Sequence, residues 1–145
     1  MKLELQQDPQ LEDIEVTIRY ARLSPRLEWL MKTLRLYDAC LLGRQGDTTT
    51  RLPLDEIYYF EVVDGRTFAY TKSDTFEVEG RLYELNQRLW GTSFAQISKS
   101  VLLNLDVLRQ VRVAPGSRLE ALLDNGERLV ISRHYVESIK QKLSC

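Results

Sequence analysis

The sequence predicts an α+β fold that is mainly β, built from antiparallel strands with a few short helices. Apolar and β-branched residues recur with a period of two in several short runs, which is typical of half-buried strands. Turn-forming residues separate these runs at short intervals, and only a few stretches show helical spacing. A chain of 145 residues is one domain, or one domain with a small appended unit, and is long enough to bury a core.

Residues 1–43 are predicted to form a small β-α-β unit. Apolar and polar residues alternate over 11–20, which predicts a half-buried strand. A serine–proline pair then predicts the start of an amphipathic helix that runs from 25 to about 36. An apolar run over 39–42 predicts a short buried strand. Because such a unit is small, we expect it to dock on the rest of the chain or on a copy of itself, and so to serve dimerisation or regulation.

Residues 44–145 are predicted to form a second unit made mostly of strands, after a hinge or exposed turn over 43–50. Asp64 and Gly65 tolerate positive φ, so they predict a type I′ turn between two strands. The other elements follow from alternation, turn residues and helical spacing. They are strands at 58–63, 66–71, 75–78, 107–113, 118–123 and 127–131, and helices at 79–90 and 132–143.

Residues suited to catalysis are sparse, and we expect no enzymatic activity, cofactor or small-molecule substrate. His134 is the only histidine, so a multi-histidine metal site is excluded. An exposed polar role is favoured for His134 over that of a general base. No glycine-rich loop with a lysine is spaced to hold phosphates.

The two cysteines, Cys40 and Cys145, do not have the spacing of a metal site. Reduced thiols in a cytoplasmic protein are the favoured interpretation, and one disulfide between the two is the alternative. No apolar run approaches the ~20 residues of a membrane-spanning helix. Residues 1–10 are polar and acidic and do not resemble a secretory signal. We therefore expect a cytoplasmic protein.

The net charge of −1 hides an uneven distribution along the chain. Residues 1–18 carry one cation and five anions, a net charge of −4. Residues 88–145 carry nine cations and five anions, a net charge of +4. This asymmetry favours an anionic partner for the C-terminal region.

Cations flanked by hydroxyl groups occur at the ends of predicted apolar strands in two places, Ser98–Ser100 and Ser132–His134. A third cation, Arg66, follows the predicted hairpin turn. Lysine and arginine donate to guanine O6 and N7, while hydroxyl and backbone N–H groups bind phosphates. The residues alone thus indicate cations held on strand ends, which suits a binding surface better than a catalytic site.

Several ordered motifs resemble the LytTR DNA-binding domain family. They are Phe94-x-x-Ile97-Ser98-Lys99-Ser100-x-x-x-Asn104, then Leu123-Asp-Asn-Gly126, then Ile131-Ser132-Arg133-x-Tyr135. Upstream, residues 55–61 and 82–85 match the family's opening strand and first helix. The resemblance covers about residues 44–143.

The resemblance implies a bacterial transcription regulator with an elongated β-rich domain whose loops enter successive major grooves of double-stranded promoter DNA. It places base contacts at Lys99 and Arg133, whereas Arg66 matches less well because its hairpin turn is short. The expected DNA-binding residues are Arg66, Ser98, Lys99, Ser100, Arg133 and His134. Asn104 matches a position that we interpret as structural, with its amide capping a turn.

Residues 1–43 are too short for the receiver domain that many family members carry, so the chain resembles a stand-alone member. The resemblance therefore implies regulation by a partner protein rather than by phosphorylation, with a membrane-protein inhibitor as the expected partner. We also expect a homodimer, since paired half-sites raise affinity through effective concentration. The alternative function is a protein-interaction module whose basic loops bind an acidic partner.

Overall fold

The computed structural model describes residues 1–37 and 39–143 and confirms the predicted class, because antiparallel strands dominate and short helices accompany them. The helices are α1 (Pro25–Tyr37), α2 (Leu82–Arg88) and α3 (Arg133–Lys142). The strands are β1 (Cys40–Gln45), β2 (Thr48–Pro53), β3 (Tyr59–Val63), β4 (Arg66–Tyr70), β5 (Thr75–Val78), β6 (Phe94–Gln96), β7 (Val101–Asn104), β8 (Leu108–Ala114), β9 (Arg118–Leu123) and β10 (Arg128–Ile131). Short 3₁₀ turns at Leu54–Glu56 and Leu105–Val107 precede β3 and β8.

Within the described part of the chain, seven strands form one antiparallel sheet in the order β2-β1-β5-β4-β3-β7-β6. The β3–β4 hairpin turns at Asp64 (φ 52°) and Gly65 (φ 73°), which confirms the predicted type I′ turn. β7 pairs with the other side of β3, where Val101 lies opposite Glu61. Because β7 runs antiparallel to β3, the residues that precede β7 lie at the same end of the sheet as the β3–β4 turn.

The last three strands form a separate antiparallel sheet in the order β10-β9-β8. Leu119, Ala121 and Leu123 of β9 are buried and alternate with more exposed residues, so one face of this sheet is turned to the core. The predicted turn before β9 is present, with Gly116 at φ 78°.

The core consists of two hydrophobic clusters. One joins α1 and α2 to the seven-stranded sheet and includes Leu36, Phe60 and Leu85. The other joins that sheet to the three-stranded sheet and α3, and includes Leu103 and Ile139. Burying each large apolar side chain contributes about 1.5–3 kcal/mol, so the second cluster fixes the position of α3 against the sheets.

The strand predicted over 11–20 is wrong. These residues form no strand, and side chains such as Ile14 and Val16 are 75% and 60% exposed. The alternation is real, but no neighbouring strand accepts or donates the hydrogen bonds that a strand needs. The helix that follows is confirmed, because α1 begins at Pro25 and the N–H of Leu27 donates to Ser24 Oγ at 3.2 Å.

β1 belongs to the seven-stranded sheet rather than to a β-α-β unit, since it pairs with both β2 and β5. A hinge or an exposed turn was predicted over 43–50, and the exposed turn is confirmed at Gly46 (φ 56°) and Asp47, where it joins β1 to β2 in a hairpin. Gly43 lies inside β1, where an added Cβ would be 2.5 Å from Leu52 Cδ1. The domain boundary expected at residue 43 therefore falls within a strand.

The helix predicted over 79–90 is shorter than expected, because Gly80 adopts φ 111°, which is incompatible with a helix. Gly91 (φ 81°) follows the helix end. Ser132 is the N-cap residue of α3, but its hydroxyl makes no capping hydrogen bond. Across residues 1–37 and 39–143, no helix is long and apolar enough to cross a membrane.

Candidate nucleic-acid interface

The loop Ser98–Ser100 connects β6 to β7 and has a defined backbone. Ile97 precedes it and is fully buried. Gln96 Nε2 donates to the carbonyl oxygen of Ser98 at 2.9 Å, and the N–H of Ser100 donates to Ser98 Oγ at 3.3 Å. Lys99 is exposed at the centre of this loop. The sheet therefore holds the loop, while the lysine side chain faces solvent.

A backbone hydrogen bond connects this loop to the start of α3. The N–H of Ser132 donates to the carbonyl oxygen of Ile97 at 2.8 Å. Arg133 and His134 follow in the first turn of α3, and both are exposed. Chain geometry then limits the distance between the Cα atoms of Lys99 and Arg133 to at most about 18 Å. The two cations, which are far apart in the sequence, are neighbours in the fold.

A second backbone hydrogen bond connects the loop to the first hairpin. The N–H of Val62 donates to the carbonyl oxygen of Ser100 at 2.9 Å. Val63 is the next residue of β3 and lies opposite Arg66 across the type I′ turn. All the candidate residues predicted from the sequence therefore lie at one end of the seven-stranded sheet.

Arg66 differs from the other cations because a carboxylate already binds its guanidinium group. Arg66 Nε and Nη2 donate to the two oxygens of Glu77 at 3.1 and 2.6 Å, and Arg44 Nη2 lies 3.8 Å from the same carboxylate. The hydrogen bond raises the pKa of Arg66 and lowers the pKa of Glu77. By contrast, neither Lys99 nor Arg133 has an ion-pair partner among the described residues.

Asn104, at the far end of β7, has the structural role expected of it. It is fully buried, and its Nδ2 donates to the carbonyl oxygen of Ile57 at 3.1 Å. Its Oδ1 accepts hydrogen bonds from Ser93 Oγ at 2.8 Å and from the N–H of Asp106 at 3.0 Å. The amide therefore caps the 3₁₀ turn after β7 and fixes the strand that carries the Ser98–Ser100 loop.

Tyrosine–carboxylate hydrogen bonds that connect the two sheets were not predicted from the sequence. Tyr59 Oη donates to Glu127 Oε2 at 2.7 Å, and Tyr58 Oη donates to Asp124. Both carboxylates lie in the turn between β9 and β10. The partners are more than sixty positions apart, so only the packing of one sheet on the other brings them together. The adjacent tyrosines at the start of β3 were the only available signal.

The buried phenols keep their protons well into the alkaline range. Burial raises the pKa of Tyr58 to about 12, and the hydrogen bond to Asp124 adds to the increase. Burial and the hydrogen bond to Glu61 raise the pKa of Tyr70 to about 12 as well. Burial, followed by the hydrogen bond to Glu127, also raises the pKa of Tyr59, whose ring stacks on Tyr70 with centroids 4.3 Å apart. These phenols therefore act as neutral donors near neutral pH.

Other reactive groups do not form a second site in the part of the chain that the structure describes. No group of three or more His, Cys, Asp and Glu residues there could hold a metal ion. Cys40 is half-buried, and its Sγ accepts a hydrogen bond from Arg51 Nε at 3.2 Å. Cys145, and with it the alternative disulfide, lies outside the described residues.

Curated relatives of this chain are bacterial regulators. An uncharacterised HTH-type transcriptional regulator of Staphylococcus aureus is 30% identical over 91 residues, which cover 63% of this chain and 61% of that protein. The sensory transduction protein LytT of Enterococcus faecalis is 26% identical over 89 residues, covering 61% of this chain and 37% of that protein. The chain thus spans less than two thirds of the length of these relatives.

The fold has a close counterpart among solved structures. A LytTr DNA-binding domain from Bacillus cereus matches with a TM-score of 0.70 and 21% sequence identity, over 74% of this chain and 99% of that chain. The family model of the LytTr DNA-binding domain matches residues 47–144, more than half of the chain, and includes both Lys99 and Arg133. The chain belongs to the LytTr DNA-binding domain family.

Proposed function

We propose that this protein is a sequence-specific, DNA-binding transcription regulator that reads the major groove through loop residues. The observation that carries the proposal is the hydrogen bond between Ser132 N–H and the Ile97 carbonyl oxygen, because it places Lys99 beside Arg133. Both cations are exposed, and both lie in the part of the chain that matches the family. This function requires access to the chromosome, so we place the protein in the bacterial cytoplasm.

Each residue of the interface has a distinct expected role. Lys99 and Arg133 donate to guanine O6 and N7, the commonest specific contacts in the major groove. Ser98, Ser100 and His134 contribute hydrogen bonds to the phosphates beside those bases. The major groove is about 12 Å wide, so two long basic side chains whose Cα atoms are at most about 18 Å apart can reach neighbouring base pairs or the two rims of one groove.

Arg66 contributes less to this interface, since Glu77 already holds its guanidinium group. Breaking a bidentate contact with a carboxylate offsets part of the gain from a new contact with a phosphate or a base. We therefore assign Arg66 a secondary role at the edge of the interface.

The test is a selection of binding sites from random duplexes, followed by titrations of the selected duplex by fluorescence anisotropy. We expect the selected site to bind at least about 1,000-fold more tightly than random DNA. We also expect log K to fall with log salt at a slope of about −0.9 for each phosphate contact. An affinity that is the same for the selected and the random duplexes, and that does not change with salt concentration, would contradict the proposal. That result would favour a protein-interaction module that binds an acidic protein.

Two further features of the proposal concern control and assembly. We propose that the protein acts as a homodimer, since two half-sites raise affinity through effective concentration. We also propose control by a partner protein, such as a membrane-protein inhibitor, rather than by phosphorylation. Control by a partner protein is supported by the exposed side of α1, where Trp29 and Tyr37 are 39% and 66% exposed. These aromatic side chains offer a binding surface for that partner.

The control proposal is tested by co-purification with a multi-span membrane protein encoded beside this gene. We expect Tyr37→Ala to reduce the co-purified amount and Tyr83→Ala, an aromatic residue on α2 with a similar exposure of 60%, to leave it unchanged. Covalent uptake of phosphate from acetyl phosphate with a change in DNA affinity would contradict control by a partner.

A further inference from the structure

Upstream of α1, apolar and polar residues alternate as they do in a β-strand, but this segment does not form a strand in the structure. Residues 14–20, called the arm segment below, carry Ile14, Val16, Ile18 and Tyr20 at every second position. Three of these side chains are at least 60% exposed, and no strand pairs with the segment. Seven residues with one apolar face are the length of an ordinary β-strand. The arm segment thus has the pattern of a strand that lacks a neighbour.

β8 offers an open edge of the same length. It has seven residues and pairs on one side only, with β9. Val111 and Val113 lie opposite the buried residues Ala121 and Leu119, so they belong to the core-facing side of the three-stranded sheet. Val113 is nevertheless 85% exposed. The apolar face of this sheet therefore continues to an edge that no described element covers.

We propose that the arm segment of a second copy of this chain pairs with the open edge of β8 and forms a fourth strand of that sheet. The apolar side of the arm would cover Val111 and Val113, which face the core side at the edge. The polar side of the arm segment carries Glu15, Thr17 and Arg19, and it would then lie on the outer face together with Arg112 of β8. Each copy donates one arm and accepts one, so the exchange closes into a two-fold dimer.

Charge favours the same pairing. Residues 12–20 contain three anions, Glu12, Asp13 and Glu15, and one cation, Arg19, a net charge of −2. By contrast, β8 contains the cations Arg109 and Arg112. Arg112 Nη2 already lies 2.8 Å from Glu120, but Arg109 has no ion-pair partner among the described residues. Opposite charges on neighbouring strands stabilise their pairing. The acidic residues at the start of the arm segment and just before it therefore suit an edge that carries these two arginines.

The connection between the arm segment and α1 is short, which favours pairing of the arm segment with β8 of a second copy over pairing with β8 of the same chain. Pro25 lines the same surface groove as Leu108, the first residue of β8, so the arm begins close to its own β8. Only four residues, 21–24, separate the arm segment from α1. Short hinges of this kind favour exchange between copies over folding back. The proposal names the surface for the dimer proposed above, but its test needs no DNA.

The test is the mass of the full chain in solution by size-exclusion chromatography with light scattering. We expect the wild type to have twice the monomer mass of 16.9 kDa. Ile14→Asp/Val16→Asp and Val113→Asp should each halve the observed mass. Leu3→Asp/Leu5→Asp, upstream of the arm segment, and Val130→Asp, on the outer face of the same sheet, should leave it unchanged. Circular dichroism checks that each variant keeps its fold.

A mixture of the two monomeric variants separates exchange from folding back. Val113→Asp keeps an intact arm, and Ile14→Asp/Val16→Asp keeps an intact β8 edge. We expect the mixture to form a heterodimer with one exchanged strand, which a pull-down with a single tagged copy detects. A monomeric wild type, or a dimer that survives Val113→Asp, overturns the proposal. A wild-type monomer that still binds DNA specifically would leave the proposed function intact and remove only the exchanged arm.

Discussion

Tyr59 Oη donates a hydrogen bond to Glu127 Oε2 at 2.7 Å and so connects the seven-stranded sheet to the turn between β9 and β10. Tyr59 is only 6% exposed, and its hydroxyl has a charged acceptor. The same turn leads through β10 to Ser132 and the basic start of α3. The contact therefore helps to set the position of Arg133 relative to Lys99.

Tyr59→Phe is expected to lower the free energy of unfolding by about 1.5–3 kcal/mol, because a hydrogen bond to a charged group is lost and the carboxylate is left under-satisfied. Urea denaturation followed by circular dichroism measures the change. Tyr83→Phe is the matched control, since Tyr83 is 60% exposed and should change stability by less than about 0.5 kcal/mol. Equal effects of the two substitutions would show that the Glu127 contact does not stabilise the fold.

Because the pKa values of Tyr58 and Tyr70 are raised in the folded protein, we expect the protein to lose stability at alkaline pH. Folding raises the pKa of Tyr58 and Tyr70 from 10.0 to about 12, so the folded state holds these protons more tightly than the unfolded chain. The stabilisation is fully present below pH 10.0 and is lost as pH rises toward 12.

The midpoint of urea unfolding, measured at several pH values, tests this prediction. We expect an additional decrease between about pH 10 and 12 in the wild type and a smaller one in Tyr58→Phe/Tyr70→Phe, which lacks both groups. Ultraviolet absorbance of the phenolate gives an independent readout. If all seven tyrosines titrate together near pH 10, these phenols are not protected.

Asn104→Ala is expected to destabilise the protein by about 2–3 kcal/mol, because three hydrogen bonds of a fully buried amide are lost together. The 3₁₀ turn after β7 also loses its cap. Thermal unfolding measures the effect, with Asn86→Ala on α2 as the control at a half-buried amide. A change no larger than that of the control would contradict a structural role for Asn104.

Glu77→Gln is expected to strengthen DNA binding about two- to fivefold at low salt, since it removes an anion and releases the Arg66 guanidinium group. Glu120→Gln is a matched control, because Glu120 also binds two arginines but lies in the other sheet. Anisotropy titrations of both variants against the selected duplex provide the comparison. The same gain in both would indicate a general charge effect without a specific role for Arg66.

The local elements of this fold could be predicted where sequence signals and tertiary contacts agree. The serine cap before Pro25 and the Asp64–Gly65 turn depend on residues that are adjacent in the chain, and both are confirmed. The alternation over 11–20 predicted a strand, but pattern alone cannot supply a hydrogen-bonding neighbour. Gly43 was assigned to a hinge or exposed turn, whereas it lies inside β1 and permits close packing there.

The candidate nucleic-acid interface could be predicted only in part from the sequence. Lys99 and Arg133 stood out because each follows a hydroxyl residue at the end of an apolar run. Their proximity depends on the Ser132–Ile97 hydrogen bond between distant parts of the chain, which no local pattern reveals. The pairing of Arg66 with Glu77 likewise depends on strand register across β4 and β5.

The central claim is that Lys99 and Arg133 read DNA bases, and the most direct measurement is the affinity of single variants for the selected duplex and for random DNA. Lys99→Ala and Arg133→Ala should each cost about 1–3 kcal/mol on the selected duplex and clearly less on random DNA. Arg26→Ala, an exposed cation on α1, is the control and should change neither affinity. Equal losses on both DNAs, or wild-type affinity in both variants, would contradict base recognition by these two side chains.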